Sequence, residues 1–99
     1  MIRDVHLWRD AFGRACADVP HYPKHSDDFE WGYGGSGPAD LAYSILRTFF
    51  GAPFAEAHYQ TFKWDVIAAI PRTARRYTIP AETIRAFAEA RGYRIEDVA

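Results

Sequence analysis

Apolar positions recur most regularly between Pro38 and Phe50. Leu41, Ala42, Ile45, Leu46, Phe49 and Phe50 follow an i, i+1, i+4, i+5, i+8, i+9 pattern, a broad stripe down one side of a helix. Asp40, Ser44, Arg47 and Thr48 fall on the opposite side, the flank expected to face water. Pro38 suits the first helical turn, Gly51 can close the helix and Pro53 can begin the next. That second helix is expected over about 53–70, ending before Pro71, with Tyr59, Phe62, Val66, Ala69 and Ile70 buried. Trp64 and Ile67 widen its apolar arc. Tyr59 and Trp64 each carry a polar handle, which suits an edge or an interface. Thr78-Ile79-Pro80-Ala81-Glu82 opens a third helix over about 80–91, with Ile84, Phe87 and Ala88 inward and Gly92 at its end. Tyr93-Arg94-Ile95 then reads as a short strand or an extended tail.

Ahead of these helices the period changes. Val5-His6-Leu7-Trp8-Arg9 alternates in the manner of a half-buried strand, and Asp10-Ala11-Phe12-Gly13 can turn it into a second strand over Arg14 to Val19. Trp8, Phe12, Ala15, Cys16 and Val19 would also share a helical face, but Gly13 in the middle disfavours a helix. A hairpin is therefore expected. Pro20 to Asp28 is a loop, with two prolines followed by a polar run. Phe29 and Trp31 read as strand residues on one face, with Glu30 on the other. Gly32, Gly34, Gly35 and Gly37 then form a turn that no regular element accommodates. The fold class is thus α+β: a small N-terminal antiparallel hairpin or sheet, a glycine-rich turn, and three helices.

Composition adds bounds. The 99 residues make one domain, and 48% apolar with 16% aromatic content is that of a folded globule. A net charge of −1 gives no global argument for nucleic acid. No apolar run reaches a membrane span, the N-terminus lacks a signal-peptide layout, and Cys16 stands alone, so a cytoplasmic protein is expected. Charge is uneven: residues 1–30 carry four Lys/Arg against six Asp/Glu, and residues 71–99 carry six Arg against four acids.

Candidate chemistry is sparse. Cys16, His21 and His25 with Asp27 or Asp28 have zinc-ligand side chains, but their spacing is looser than zinc motifs use and there is no second cysteine, so no metal is expected. Gly34, Gly35, Ser36 and Gly37 could form an anion-binding nest at a helix start. Gly32 and Gly37 have the spacing of a P-loop, yet Pro38-Ala39 stands where Lys-Ser/Thr must be, and Asp40 would repel an anion. The plainer expectation is a tight strand-to-helix connection with Ser36 as N-cap. Ser36, His58 and the Asp27/Asp28 pair fall in no catalytic arrangement, and Gly-Gly-Ser-Gly-Pro is not a nucleophile elbow. Neither an enzyme nor a cofactor is expected. Arg72, Arg75 and Arg76, with Tyr77 and Tyr93 interleaved, are the nearest approach to a nucleic-acid signature.

Phe29 to Ala42 (FEWGYGGSGPADLA), Tyr59 to Ala68 (YQTFKWDVIA) and Ile70-Pro71 together resemble a family of uncharacterised domains found in phages, bacteria and archaea, with an F-x-W-G-Y-G-G-S-G-P-x-x-L-A signature. The resemblance covers about the last 70 residues and implies no catalytic residues. Taken with the surplus aromatics, it leads to the expectation of a non-enzymatic protein-interaction module of phage or mobile-element type, such as an anti-CRISPR-like inhibitor of a host defence complex. Asp27, Asp28 and Glu30 would offer an acidic edge, and Tyr33, Tyr59 and Trp64 aromatic contacts. The alternatives are a nucleic-acid-binding accessory protein using Arg72, Arg75 and Arg76, and an anion or nucleotide site at the glycine turn. No pairing signal specifies an oligomeric state.

Overall fold

The structure, a computed structural model, describes residues 1–94. Its chain order is β1 (Val5–Arg9), β2 (Ala15–Ala17), α1 (Ser36–Phe50), α2 (Ala52–Phe62), a π-helical turn (Lys63–Ile67), β3 (Arg76–Ile79) and α3 (Ala81–Ala90). The α+β class and the N-terminal hairpin stand as expected.

The hairpin forms because its turn is locally satisfied. One Asp10 carboxylate oxygen accepts the backbone N–H groups of Phe12 (2.8 Å) and Arg14 (2.9 Å), and Gly13 supplies a φ of +79°. These backbone N–H bonds, the Arg14 one foremost, outweigh partial desolvation and hold the Asp10 carboxyl below its ordinary value. Leu7 pairs with Ala17 and Trp8 with Cys16 across the two strands.

The sheet is larger than a hairpin. Residues 76–79, expected as part of a basic connector and a helix boundary, form β3, which pairs antiparallel with β1 in the strand order β2-β1-β3. Val5 lies opposite Ile79, Leu7 opposite Tyr77 and Trp8 opposite Arg76. Arg-Tyr-Thr-Ile is short and largely exposed: Tyr77, Thr78 and Ile79 all suit a strand, but only Ile79 is buried.

One core joins sheet and helices. Val5, Leu7 and Ile79 pack with Trp31, with Leu41, Ile45 and Leu46 of α1, with Ala55 and Phe62 of α2, and with Ile84 of α3. The faces expected for α1 and α3 are the buried ones. In α2 the phase slips. The π-helical turn, closed by the Ala68 N–H donating to the Lys63 carbonyl (2.8 Å), inserts an extra residue. Ile67 is therefore buried, while Val66 is half-buried and Ala69 exposed.

Two further expectations change. Phe29 and Trp31 are buried and Glu30 partly exposed, the anticipated alternation, but the segment has no strand partner and is not a strand. The polar side of α1 does not face water at its first turns: Asp40 and Ser44 are fully buried beneath the 20–28 loop. Asp40 accepts from His21 Nε2 (2.8 Å) and from the backbone N–H groups of Lys24 (3.1 Å) and His25 (2.8 Å), while Ser44 Oγ accepts from the Tyr22 N–H (2.9 Å). A loop without regular structure must satisfy its N–H groups somewhere, and here α1 supplies the acceptors. Beyond α3, Tyr93 packs on Phe50 and Phe54, with ring centroids 4.7 and 5.2 Å away; Ile95, the end of the expected strand or tail, lies outside the described residues.

Candidate functional site

The glycine turn is built by close approach more than by unusual dihedrals. Gly32 alone in the cluster has positive φ (+87°), and a Cβ there would sit 2.5 Å from the Arg72 Cα. Its N–H donates to the Ile67 carbonyl (3.1 Å), pinning the turn to the end of the π-helical segment. A Cβ on Gly34 would lie 2.1 Å from the Trp64 ring, one on Gly35 2.4 Å from the Tyr33 ring, and one on Gly37 2.8 Å from Glu30 Cβ. The turn is thus a bare backbone surface on which aromatic rings lie. Gly35 is the helix N-cap and makes no side-chain capping bond; Ser36, expected there, is the first helical residue.

Over this backbone three side chains converge. Trp64 projects from the π-helical turn with 61% of its surface exposed, and Tyr33 is 36% exposed. The Arg72 guanidinium stands 4.5 Å above the Tyr33 ring. Lys63 fixes the arrangement from below: only 7% exposed, it donates from Nζ to the Gly34 carbonyl (3.0 Å) and lies 4.5 Å from the Trp64 ring. The result is an aromatic and cationic surface laid on the glycine backbone.

The other anticipated residues are distributed differently. Glu30 is committed to Arg9 through two hydrogen bonds (2.9 and 3.3 Å), and Arg9 lies 4.3 Å above the Trp31 ring, so the exposed carboxylates of the acidic edge are Asp27 and Asp28. Tyr59 is buried, its hydroxyl 2.8 Å from His25 Nε2. Arg75 and Arg76 lie at the sheet, away from the α2 aromatics, with the Arg75 carbonyl accepting the Arg9 N–H (3.0 Å). Beside Ser36 and Gly37 is an open groove of about 400 Å³ lined on its other side by Asp28, Glu30 and Arg14, a mixed charge rather than a cationic cradle. His21 and His25 serve the loop, Cys16 is half-buried, and His58 packs on Phe54 at 4.5 Å. Among the described residues no group of three or more His, Cys, Asp or Glu is placed to hold a metal ion. No helix among them is long and apolar enough to cross a membrane.

The model of a family of unknown function, DUF6166, matches residues 9–90, the span that holds the glycine turn, the π-helical turn, β3 and α3. The chain belongs to this family. No curated protein and no solved structure matches it. The family match begins at the last residue of β1 and takes in the hairpin turn, β2 and the 20–28 loop, a longer stretch than the glycine motif and α2 alone suggest.

Lys63, Arg9 and Asp40 were not legible as parts of the site or its support. Lys63 had a signal: it stands four residues after Tyr59, on the buried side of α2, where a lysine needs a partner. Arg9 and Asp40 have partners distant in sequence, and no local pattern announces them.

Proposed function

We propose that this protein is a non-enzymatic binding module that presents the Tyr33–Trp64–Arg72 surface to a protein partner. The observation that carries this reading is Trp64, exposed and laid across Gly34. A free indole is a poor choice for a solvent-facing position. Trp, Tyr and Arg are the residues that most often dominate binding energy at protein interfaces. Its seat in a π-helical turn, a feature frequent at functional sites, points the same way. Lys63 and Arg72 lie against the rings and favour the displayed arrangement, which lowers the side-chain entropy lost on binding.

A finer version keeps the partner as a host defence complex inhibited by a protein of phage or mobile-element type. In that version Asp27 and Asp28 extend the contact as an acidic edge toward a basic channel. Affinity capture from host lysate after nuclease treatment tests both levels. The wild-type chain should retain a defined protein complex that Trp64→Ala loses while keeping its helical circular dichroism. Retention of the same complex by Trp64→Ala would sink the reading. If Asp27→Lys with Asp28→Lys retains it, the acidic-edge version fails alone.

A further inference from the structure

We propose that the open face of the β-sheet binds single-stranded nucleic acid, with Trp8 as the stacking platform and Arg76 as a phosphate contact. Strand alternation sends Val5, Leu7 and Ile79 into the core and turns His6, Trp8, Arg76 and Thr78 outward. Among the described residues no helix covers this second face. It carries a depression of about 440 Å³ lined by His6, Trp8, Arg76, Tyr77 and Thr78.

Three features select the occupant. Trp8 is 38% exposed in the central strand, flanked by Cys16 and Arg76, with its ring on the open side. An indole on a flat, rigid strand offers what an unpaired base stacks on, and a duplex has no such face to give. Arg76 is exposed on this face and, among the described residues, has no carboxylate in ion-pair range. Arg3, Arg9, Arg14 and Arg91, in contrast, are paired with Asp18, Glu30, Asp10 and Asp65. Of the acids beside the sheet, Asp10 and Asp18 are paired with arginines and Asp4 accepts the Ala81 N–H, which leaves Arg76 without a carboxylate partner among the described residues. Finally, His6 Nδ1 and Thr78 Oγ1, 3.2 Å apart, give the face a polar pair beside the indole that can bond to base edges or sugars. An indole face beside an arginine without a carboxylate partner matches a nucleotide, whose base stacks while its phosphate pairs.

The surface is distinct from the Tyr33–Trp64–Arg72 patch, and each can fail without the other. The experiment is fluorescence anisotropy of the full chain with a short labelled oligo-dT, the corresponding oligo-U and a duplex, from low to physiological salt. The single strands should bind, the duplex more weakly, with affinity falling as salt rises. Trp8→Leu keeps an apolar residue in the strand and should weaken binding about tenfold by removing the stacking face. Arg76→Ala should flatten the log K against log salt slope by about 0.7, the value of one phosphate contact for single strands. Trp64→Ala should bind as the wild type does. Absence of oligonucleotide binding at low salt would overturn the proposal, as would binding unchanged by both sheet variants. Capture of a nuclease-resistant protein that Trp8→Leu loses, without oligonucleotide binding, would assign the face to a protein instead.

Discussion

Asp40 shows how much one side chain can organise. It is fully buried, and its two oxygens receive three donors, from His21, Lys24 and His25, that together fasten the irregular 20–28 loop to α1. Burial pushes its carboxyl up, but the His21 hydrogen bond and the two backbone N–H groups outweigh that and hold it below the ordinary carboxylate value. A depressed folded-state pKa means the stabilisation is complete above the ordinary Asp value near ~4 and is lost as pH falls through it toward the folded value. Asp40→Asn keeps the shape but offers one acceptor where two oxygens are used, leaving a buried donor facing an NH₂. We expect it to cost about 2–3 kcal/mol near neutral pH in denaturant unfolding, with the gap to wild type closing below about pH 4. A gap that stays constant into acid would show that the charge on Asp40 contributes nothing. None of this was legible in the sequence. Asp40 stands beside an apolar stripe, on the flank that periodicity assigns to water, and its partners lie 15 to 19 residues away.

At the scale of elements, the glycine turn and the π-helical turn specify each other. Gly34 leaves room for the Trp64 ring, Lys63 bonds the Gly34 carbonyl, and the Gly32 N–H bonds the Ile67 carbonyl. The glycines therefore differ in what an added methyl meets. At Gly32 it would face the Arg72 backbone from a positive-φ position, and neither can give way. At Gly34 it would face the far end of an exposed side chain at an ordinary φ. Gly32→Ala should thus destabilise by about 2 kcal/mol or more, whereas Gly34→Ala should cost under about 1 kcal/mol and displace Trp64. Thermal melts rank the two. Equal losses would mean the rings are not free to move, and the site would then be part of the core rather than a surface laid on it. The cluster was readable as a turn, and the helices as helices, because glycine spacing and a 3.6-residue period are local signals. The slip of phase at Lys63 was not, since Tyr59, Phe62, Val66 and Ala69 fit an uninterrupted helix equally well. β3 was hidden because it is short: Tyr77, Thr78 and Ile79 suit a strand, but four residues with Ile79 alone buried give no alternating pattern to read.

Across the whole molecule, the sheet is too small to stand alone and depends on the helices for its buried face. β2 spans three residues and β3 four, and a small hairpin in water is marginal without packing. Ile79, 1% exposed, joins Val5 and Leu7 in the same core as Trp31, Leu41 and Phe62. The Arg9–Glu30 pair and the stacking of Arg9 on Trp31 tie the sheet to the segment leading into α1. A change in the last strand should therefore be felt by every element. Ile79→Ala removes a buried branched side chain and should cost about 2–5 kcal/mol. Because the core is shared, far-ultraviolet circular dichroism of the helices and tryptophan fluorescence should still report one coincident transition, moved to lower denaturant. Separate midpoints, with the helices keeping wild-type stability, would mean that the sheet is a detachable layer. The Trp8 face and the Trp64 face would then belong to units that unfold independently, and occupation of one could not stabilise the other. A single transition instead predicts that a ligand on either face raises the stability of both, since binding to the native state shifts the only equilibrium available.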